Sequence, residues 1–328
     1  MTLYIIVAAA VLVLLAVMLA AGTSMFFKVA VLSDNYKKTR PKLAWDENED
    51  RPDEVMFNPN CLPYRDELIE GRKWVKSHEL AVYETVSYDG LKLRARYLPA
   101  EPLKGIVLMM HGFRSNPLHD FSLAIKEYHE MGIGCFMPYQ RAHGDSEGKY
   151  LCYGVKERYD VVSWCEFIGK TFPGVRVLLD GISMGAATVM MAAGEVLPDF
   201  VRCIVADSGY TSPEAIMKSV MKSHVKMSPF PFYYTTALYA KLRAHFSFGE
   251  ASTLDALKKN RLPILIAHGQ GDTLVPHSMS EQNYAVAREY CDAEFISVPG
   301  AEHGLSFMVD REKYLNAVRK LVNDYILK

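Results

Sequence analysis

The chain has 328 residues, half of them hydrophobic, and a net charge of −1. Its 37 Lys+Arg against 38 Asp+Glu leave no large field for a nucleic-acid backbone, so a general DNA or RNA binder is disfavoured. Twenty-one Gly and 16 Pro exclude collagen-like and low-complexity chains, and the length is enough to bury a large core without staples.

Residues 2–27 carry no charge, and Leu3 to Ala21 is nearly all Val, Leu, Ile, Ala and Met. About 20 such residues span a bilayer as a helix, so residues 1–27 are expected to form a transmembrane anchor. A cleaved signal peptide is the alternative, with Ala20-Ala21-Gly22 as the cut site. The length of the run and the lack of Lys or Arg before it favour an uncleaved anchor. Lys28, Lys37, Lys38, Arg40 and Lys42 follow it, which places the remaining chain on the cytoplasmic side by the positive-inside rule. Residues 28–70 are expected to be a linker and approach segment, with a charged, Pro-containing run over 46–54. A single domain is expected over residues 71–328.

Within that domain, Leu80 to Tyr88, Asp89-Gly90 and Leu91 to Tyr97 predict a hairpin. Six short apolar runs follow: Ile106–Met110, Ile133–Pro138, Val175–Leu179, Val201–Ala206, Pro263–Ala267 and Ala293–Val298. Such runs suit parallel strands buried on both faces. Between them, Phe121–Met131, Lys156–Lys170, Met184–Val196, Ser278–Tyr290 and Asp310–Leu327 are long enough for crossover helices. The alternation predicts an α/β fold: a mostly parallel eight-stranded sheet with helices on both faces. Ligands in such sheets sit beyond the carboxyl ends of the strands.

The residues after each run therefore carry the functional reading. Gly181-x-Ser183-x-Gly185 follows the third run and has the form of a sharp strand-to-helix turn that lifts the serine hydroxyl clear. Asp272 lies in a Gly-flanked loop after Pro263–Ala267, either as the acid of a triad or as a cap of the next helix. His303 follows the last run and is the natural general base. His268 is expected to close a strand end, and His277 to lie exposed on a first helical turn. The oxyanion donors are expected to be the N–H groups of Met184 and of Phe113, the latter in the loop after Ile106–Met110. His111 is read as bracing that loop. Six cysteines without a Cys-x-x-Cys pair are read as free thiols, with those in apolar runs buried; no metal or organic cofactor is implied.

These residues resemble the α/β-hydrolase superfamily. The resemblance rests on His111-Gly112-Phe113, Gly181-Ile182-Ser183-Met184-Gly185, Gly269-x-x-Asp272-x-x-Val275-Pro276 and Glu302-His303-Gly304. Gln140 to Gly148 is similar to that superfamily's loop after the fourth strand. Gly148-Lys149-Tyr150 and Gly154 to Asp160 narrow the resemblance to N-terminally membrane-anchored hydrolases of Gram-positive bacteria. One departure is Tyr139, where those proteins usually carry an Asp that braces the loop. Arg141, His143 and Asp145 are read as loop braces rather than a substrate site.

About 50 residues separate Asp207 from Pro263, more than one connecting helix needs, so a small helical lid is expected over about 209–260. Its Met217, Met221, Met227, Phe230, Phe232, Tyr233, Tyr234, Tyr239, Phe246 and Phe248 suit packing on the core, an acyl pocket wall or a membrane-near surface. Lys218, Lys222, Lys226, Lys241 and Arg243 read as a solvated face. The expected activity is hydrolysis of a small-molecule carboxylic ester with an apolar acyl group, through an acyl-enzyme on Ser183, Asp272 and His303. An amide or peptide hydrolase, a thioesterase or acyltransferase, and a catalytically silent binding protein of the same fold are the alternatives.

Overall fold

The computed structural model describes residues 2–33 and 59–328. The charged run over 46–54 and most of the expected linker lie outside the described residues. Helix α1 (Thr2–Ala30) is long and apolar enough to cross a membrane, by length and composition. It runs three residues past the expected end of the span. Its outer turns are exposed, but Phe27, Val31 and Leu32 are buried against the rest of the protein.

A 3-10 turn (Pro59–Tyr64) leads into α2 (Arg65–Lys76), which buries Leu68 and Val75. Strands β1 (Ala81–Val86) and β2 (Lys92–Leu98) form the expected antiparallel hairpin. Its turn closes with Ser87 N–H donating to Leu91 O at 2.8 Å. Gly90 there has φ +88°, which a side chain resists. Then follow β3 (Gly105–Met110), α3 (Pro117–Glu130), β4 (Ile133–Pro138), α4 (Glu157–Thr171), β5 (Val177–Ile182) and α5 (Met184–Ala192). Next come β6 (Val201–Asp207), α6 (Pro213–Ser223), α7 (Phe232–Arg243), α8 (Thr253–Lys259), β7 (Ile264–Gly269) and α9 (His277–Tyr290). The chain ends with β8 (Ala293–Val298), α10 (Ser306–Val309) and α11 (Arg311–Tyr325).

The eight strands make one sheet in the order β1-β2-β4-β3-β5-β6-β7-β8. β2 is antiparallel to both neighbours, and the remaining pairs are parallel. Alternate side chains of a strand point to opposite faces. Val107 and Met109 thus pack under α3 and α11, while Ile106, Leu108 and Met110 pack under α4 and α5. With both faces covered, β3 and β4 are apolar throughout and β5 to β7 are mostly so, as the runs predicted.

Among the boundaries that differ from expectation, α3 starts at Pro117 rather than Phe121, with Asn116 as its cap, and two more flank the turn at Ser183. β5 starts at Val177 and continues through Gly181 and Ile182, because β3 and β6 supply ladder partners up to that point. Helix α5 ends at Ala192 rather than Val196. Gly194 lies so close to α8 that an added Cβ would come within 2.8 Å of Ala256.

The loop after β4 is braced without an Asp at position 139. Arg141 donates two hydrogen bonds of 2.6 Å to Asp160 on α4 and two of 2.9 and 3.0 Å to Asp89 in the hairpin turn. The Tyr139 ring is buried against Gly144, and Ser146 Oγ donates to Tyr139 O at 2.7 Å. His143 Nε2 accepts from Arg114 N–H at 3.1 Å, and Asp145 faces Arg96 at 4.0 Å. All three polar residues singled out in this loop act within the fold. Arg141→Met leaves Asp160 as a buried, unpaired carboxylate and is expected to cost about 3–5 kcal/mol. An unchanged denaturant midpoint in urea unfolding of that variant would refute the clamp.

Candidate active site

The backbone makes the site. β5 delivers Ser183 onto the first turn of α5 at φ 57° and ψ −115°, a region that non-glycine residues rarely occupy. Only glycine fits on either side. A Cβ at Gly181 would lie 2.4 Å from the Gly185 carbonyl carbon, and one at Gly185 would lie 1.7 Å from Met110 O. Ser183 N–H is held by Asp207 O at 2.8 Å. The hydroxyl therefore stands off the carboxyl edge of the sheet, as the motif predicted.

The structure brings Ser183, His303 and Asp272 together from three separate loops. His303 Nε2 is 2.8 Å from Ser183 Oγ, and His303 Nδ1 is 2.6 Å from Asp272 Oδ2. Asp272 does not cap α9. Its Oδ1 accepts from Leu274 N–H and Val275 N–H, both at 2.8 Å, which folds the loop back on itself. Burial opposes the Asp272 charge, but hydrogen bonds from His268 and His303 outweigh it and hold the carboxyl well below the usual carboxylate range. The His303 loop is seated by Glu302, whose Oε2 accepts from Thr273 N–H at 3.3 Å, and by Gly304 N–H donating to Ser208 Oγ at 3.2 Å.

Sequence reasoning missed the part played by His268. Its ring is buried, and Nε2 lies 2.9 Å from Asp272 Oδ2 and 3.1 Å from Val275 O. Both neighbours accept, so Nε2 carries the proton; Nδ1 lies 2.6 Å from Ser280 Oγ, which has Gly209 O as an acceptor at 3.3 Å. The signal was the four-residue spacing from His268 to Asp272 across the Gly-rich turn. His277 is not on an open surface as expected: its ring is half-buried and its Nε2 lies 2.9 Å from Ser297 Oγ.

Opposite the histidine, the loop after β3 crosses close to Ser183. A Cβ at Gly112 would stand 3.5 Å from Ser183 Cβ, and Gly112 N–H donates to Asp120 Oδ2 at 2.6 Å. His111 is fully buried and braces this loop from below. Its Nε2 accepts from Gln140 N–H at 3.1 Å, which leaves the proton on Nδ1, 2.8 Å from Gly112 O. Burial pushes its pKa down and favours the neutral ring. Phe113 follows Gly112 in this loop, and Met184 N–H is one of the orphan donors at the start of α5.

Met184, the residue after the serine, belongs to an apolar cluster with Tyr153, Tyr210, Phe248, Val275 and Met279. Phe113 stacks on Tyr153 at 5.2 Å. The end of α1 belongs to the same cluster. Arg114 Nη2 donates to Val29 O at 2.7 Å and Leu32 O at 2.8 Å, and Tyr153 OH donates to Ala30 O at 2.8 Å.

This fold and this strained serine define the class: the chain is a serine hydrolase with the α/β-hydrolase fold. Residues 147–326, more than half of the chain, match the model described as the prolyl oligopeptidase family, and the chain belongs to that family. The YfhR protein of Salmonella typhi is 25% identical over 282 residues, 81% of this chain and 87% of that one. The YfhR protein of Escherichia coli K12 is 23% identical over 282 residues, 84% of this chain and 85% of its own. Among solved structures, an esterase of Pyrococcus furiosus matches with a TM-score of 0.64 at 21% identity, over 88% of this chain and 100% of that one. The acylaminoacyl peptidase of Pyrococcus horikoshii matches at 0.59 and 16% identity, over 79% of this chain and 44% of that one. These two structures share the fold.

Beneath the elbow, Asp180 of β5 is fully buried and accepts from Tyr128 OH at 2.8 Å. Burial pushes its carboxyl up to about 7, with the Tyr128 hydrogen bond opposing. A carboxyl raised on folding keeps its proton in the folded state while the unfolded chain has lost it. Stability is therefore expected to fall as pH rises from about 4 to about 7 and then to level off. Asp180→Asn is expected to remove up to about 4 kcal/mol of that decline. Parallel stability–pH curves for the two proteins would refute this.

Proposed function

We propose that this chain is a membrane-anchored esterase that cleaves small carboxylic esters with apolar acyl groups through an acyl-enzyme. The reading rests on one observation, the unbroken hydrogen-bonded path Ser183–His303–Asp272 at 2.8 and 2.6 Å. Ser183 Oγ attacks the ester carbonyl as His303 Nε2 takes its proton. Asp272 keeps the His303 proton on Nδ1 and stabilises the imidazolium. The N–H groups of Met184 and Phe113 receive the oxyanion. His303 then protonates the leaving alcohol. Water, losing a proton to the same nitrogen, releases the acid and restores the serine hydroxyl. His268 acts as a positioning residue by holding Asp272 from its far side.

The apolar cluster that joins Met184 to Phe113, Tyr153 and Phe248 supports an apolar acyl group. The segment carrying α6, α7 and α8, within about 209–260, acts as the lid. α1 acts as a single-pass anchor, continuous through Ala20-Ala21-Gly22, with the basic residues after it placing the domain on the cytoplasmic side. Peptide hydrolysis is the second reading, favoured by the family to which the chain belongs. No nucleic acid enters either reading.

The test is fluorophosphonate labelling of the detergent-solubilised full chain beside Ser183→Ala, followed by matched p-nitrophenyl esters and peptidyl anilides. Labelling should vanish in Ser183→Ala, and ester turnover should fall by about 10⁴–10⁶. Wild-type protein that is folded yet unlabelled would refute the hydrolytic role of Ser183, and faster anilide than ester turnover would favour the peptidase. His268→Gln removes one charge-assisted hydrogen bond and is expected to lower kcat by about 10–100-fold with KM little changed. An unaltered kcat would leave His268 with a structural part alone.

A further inference from the structure

Helix α7 has three faces. Tyr233, Thr236 and Ala240 are buried toward the domain. Phe232, Thr235 and Tyr239 meet α1: Phe232 stacks on Phe26 at 5.2 Å, Thr23 Oγ1 donates to Thr235 Oγ1 at 2.7 Å, and Tyr239 meets Phe27 edge-on at 4.8 Å. An added Cβ at Gly22 would run into the Phe232 ring, so the two helices touch closely. The third face is exposed and apolar. Tyr234, Leu238 and Leu242 recur every four residues along it, with Phe230 one turn before. At about 100° per residue this stripe lies next to the face that holds α1. Val225 and Met227 extend it, so six exposed large apolar side chains fall within residues 225–242.

We propose that this stripe seats on the bilayer beside α1, placing the mouth of the Ser183 site at the lipid surface so that it takes esters from the lipid phase. Three observations carry the choice of occupant. The stripe is continuous with the one helix, among those described, that is long and apolar enough to cross a membrane. Of the basic side chains Lys218, Lys222, Lys226, Lys241 and Arg243 around the stripe, Lys218 pairs with Glu214 and the other four suit an anionic headgroup layer. The last turn of α1 is also pinned by Arg114 and Tyr153, beside Phe113, so the membrane and the serine meet at one edge of the domain. The seat itself rests on the anchor reading of α1, and the lipid-phase substrate rests also on the hydrolase reading.

The test uses the full chain in phosphatidylcholine–phosphatidylglycerol vesicles. Leu238→Trp places an indole on the stripe, with Leu242→Trp as a second variant. Val196→Trp is the control: Val196 is 92% exposed and precedes β6, at the edge of the sheet opposite Ser183. The emission of each added indole is read against the parent chain. The stripe indoles should be blue-shifted, quenched by brominated acyl chains and shielded from iodide, while the Val196→Trp indole stays open to iodide. Protein that floats with the vesicles but leaves the stripe indoles open to iodide overturns the seat while keeping the anchor. Indoles shielded from both quenchers overturn it in favour of a second protein surface, such as another copy of this chain. Protein that fails to float overturns anchor and seat together. None of these readings needs turnover, so they stand apart from the fate of the esterase assignment.

Discussion

The approach of Gly185 to Met110 O is the constraint on which the rest depends. It lets α5 start directly off β5, packed against the end of β3, with no connecting loop. The turn this requires holds Ser183 at a positive φ, and the surrounding sheet over-determines that strain. Every other part of the site is placed relative to this turn. The β3 loop passes close to Ser183 at Gly112, whose N–H is held by Asp120 Oδ2 at 2.6 Å. The His303 loop reaches the hydroxyl from the other side because Asp272 and Ser208 hold it there.

Polar groups near the serine are bound in pairs and chains rather than left singly. Asp272 gathers two backbone N–H groups and two imidazoles, which keeps a buried carboxylate charged. Asp180, with a tyrosine hydroxyl as its partner, is instead pushed toward its neutral form. Asp180 lies within β5 and Asp272 in the loop after β7, and their different surroundings set opposite charge preferences. The Arg141 clamp, with its two carboxylates, joins the hairpin, α4 and the β4 loop, so the edge of the sheet braces the floor of the site.

The chain joins its apolar N-terminal helix to the catalytic domain by more than a tether. The last turn of α1 is hydrogen-bonded to Arg114 and Tyr153, and Ser33 Oγ donates to Ala142 O at 2.6 Å. The helix end thus rests on the same loops that surround the serine.

Much of this was legible in the residues. Apolar runs marked six of the eight strands, because a strand buried on both faces has little polar side to confuse the pattern, and alternation around Asp89-Gly90 marked the other two. Gly181, Ser183 and Gly185 announced the elbow, since no larger residue fits. Asp272 and His303 stood out because each follows a strand end, in the chain order of acid then base after the serine. The sequence alone determined the sheet, the turn and the residue types at its rim, all of which follow from local size, period and chain order. Only the tertiary structure decided which groups share a hydrogen bond across long stretches of chain. His268 looked like a strand end and is a partner of Asp272; the missing Asp at 139 is made up by Arg141, Asp160 and Asp89; the aromatics of α7 divide among core, α1 and solvent. Contacts between distant segments depend on how finished elements pack, and no local pattern encodes that.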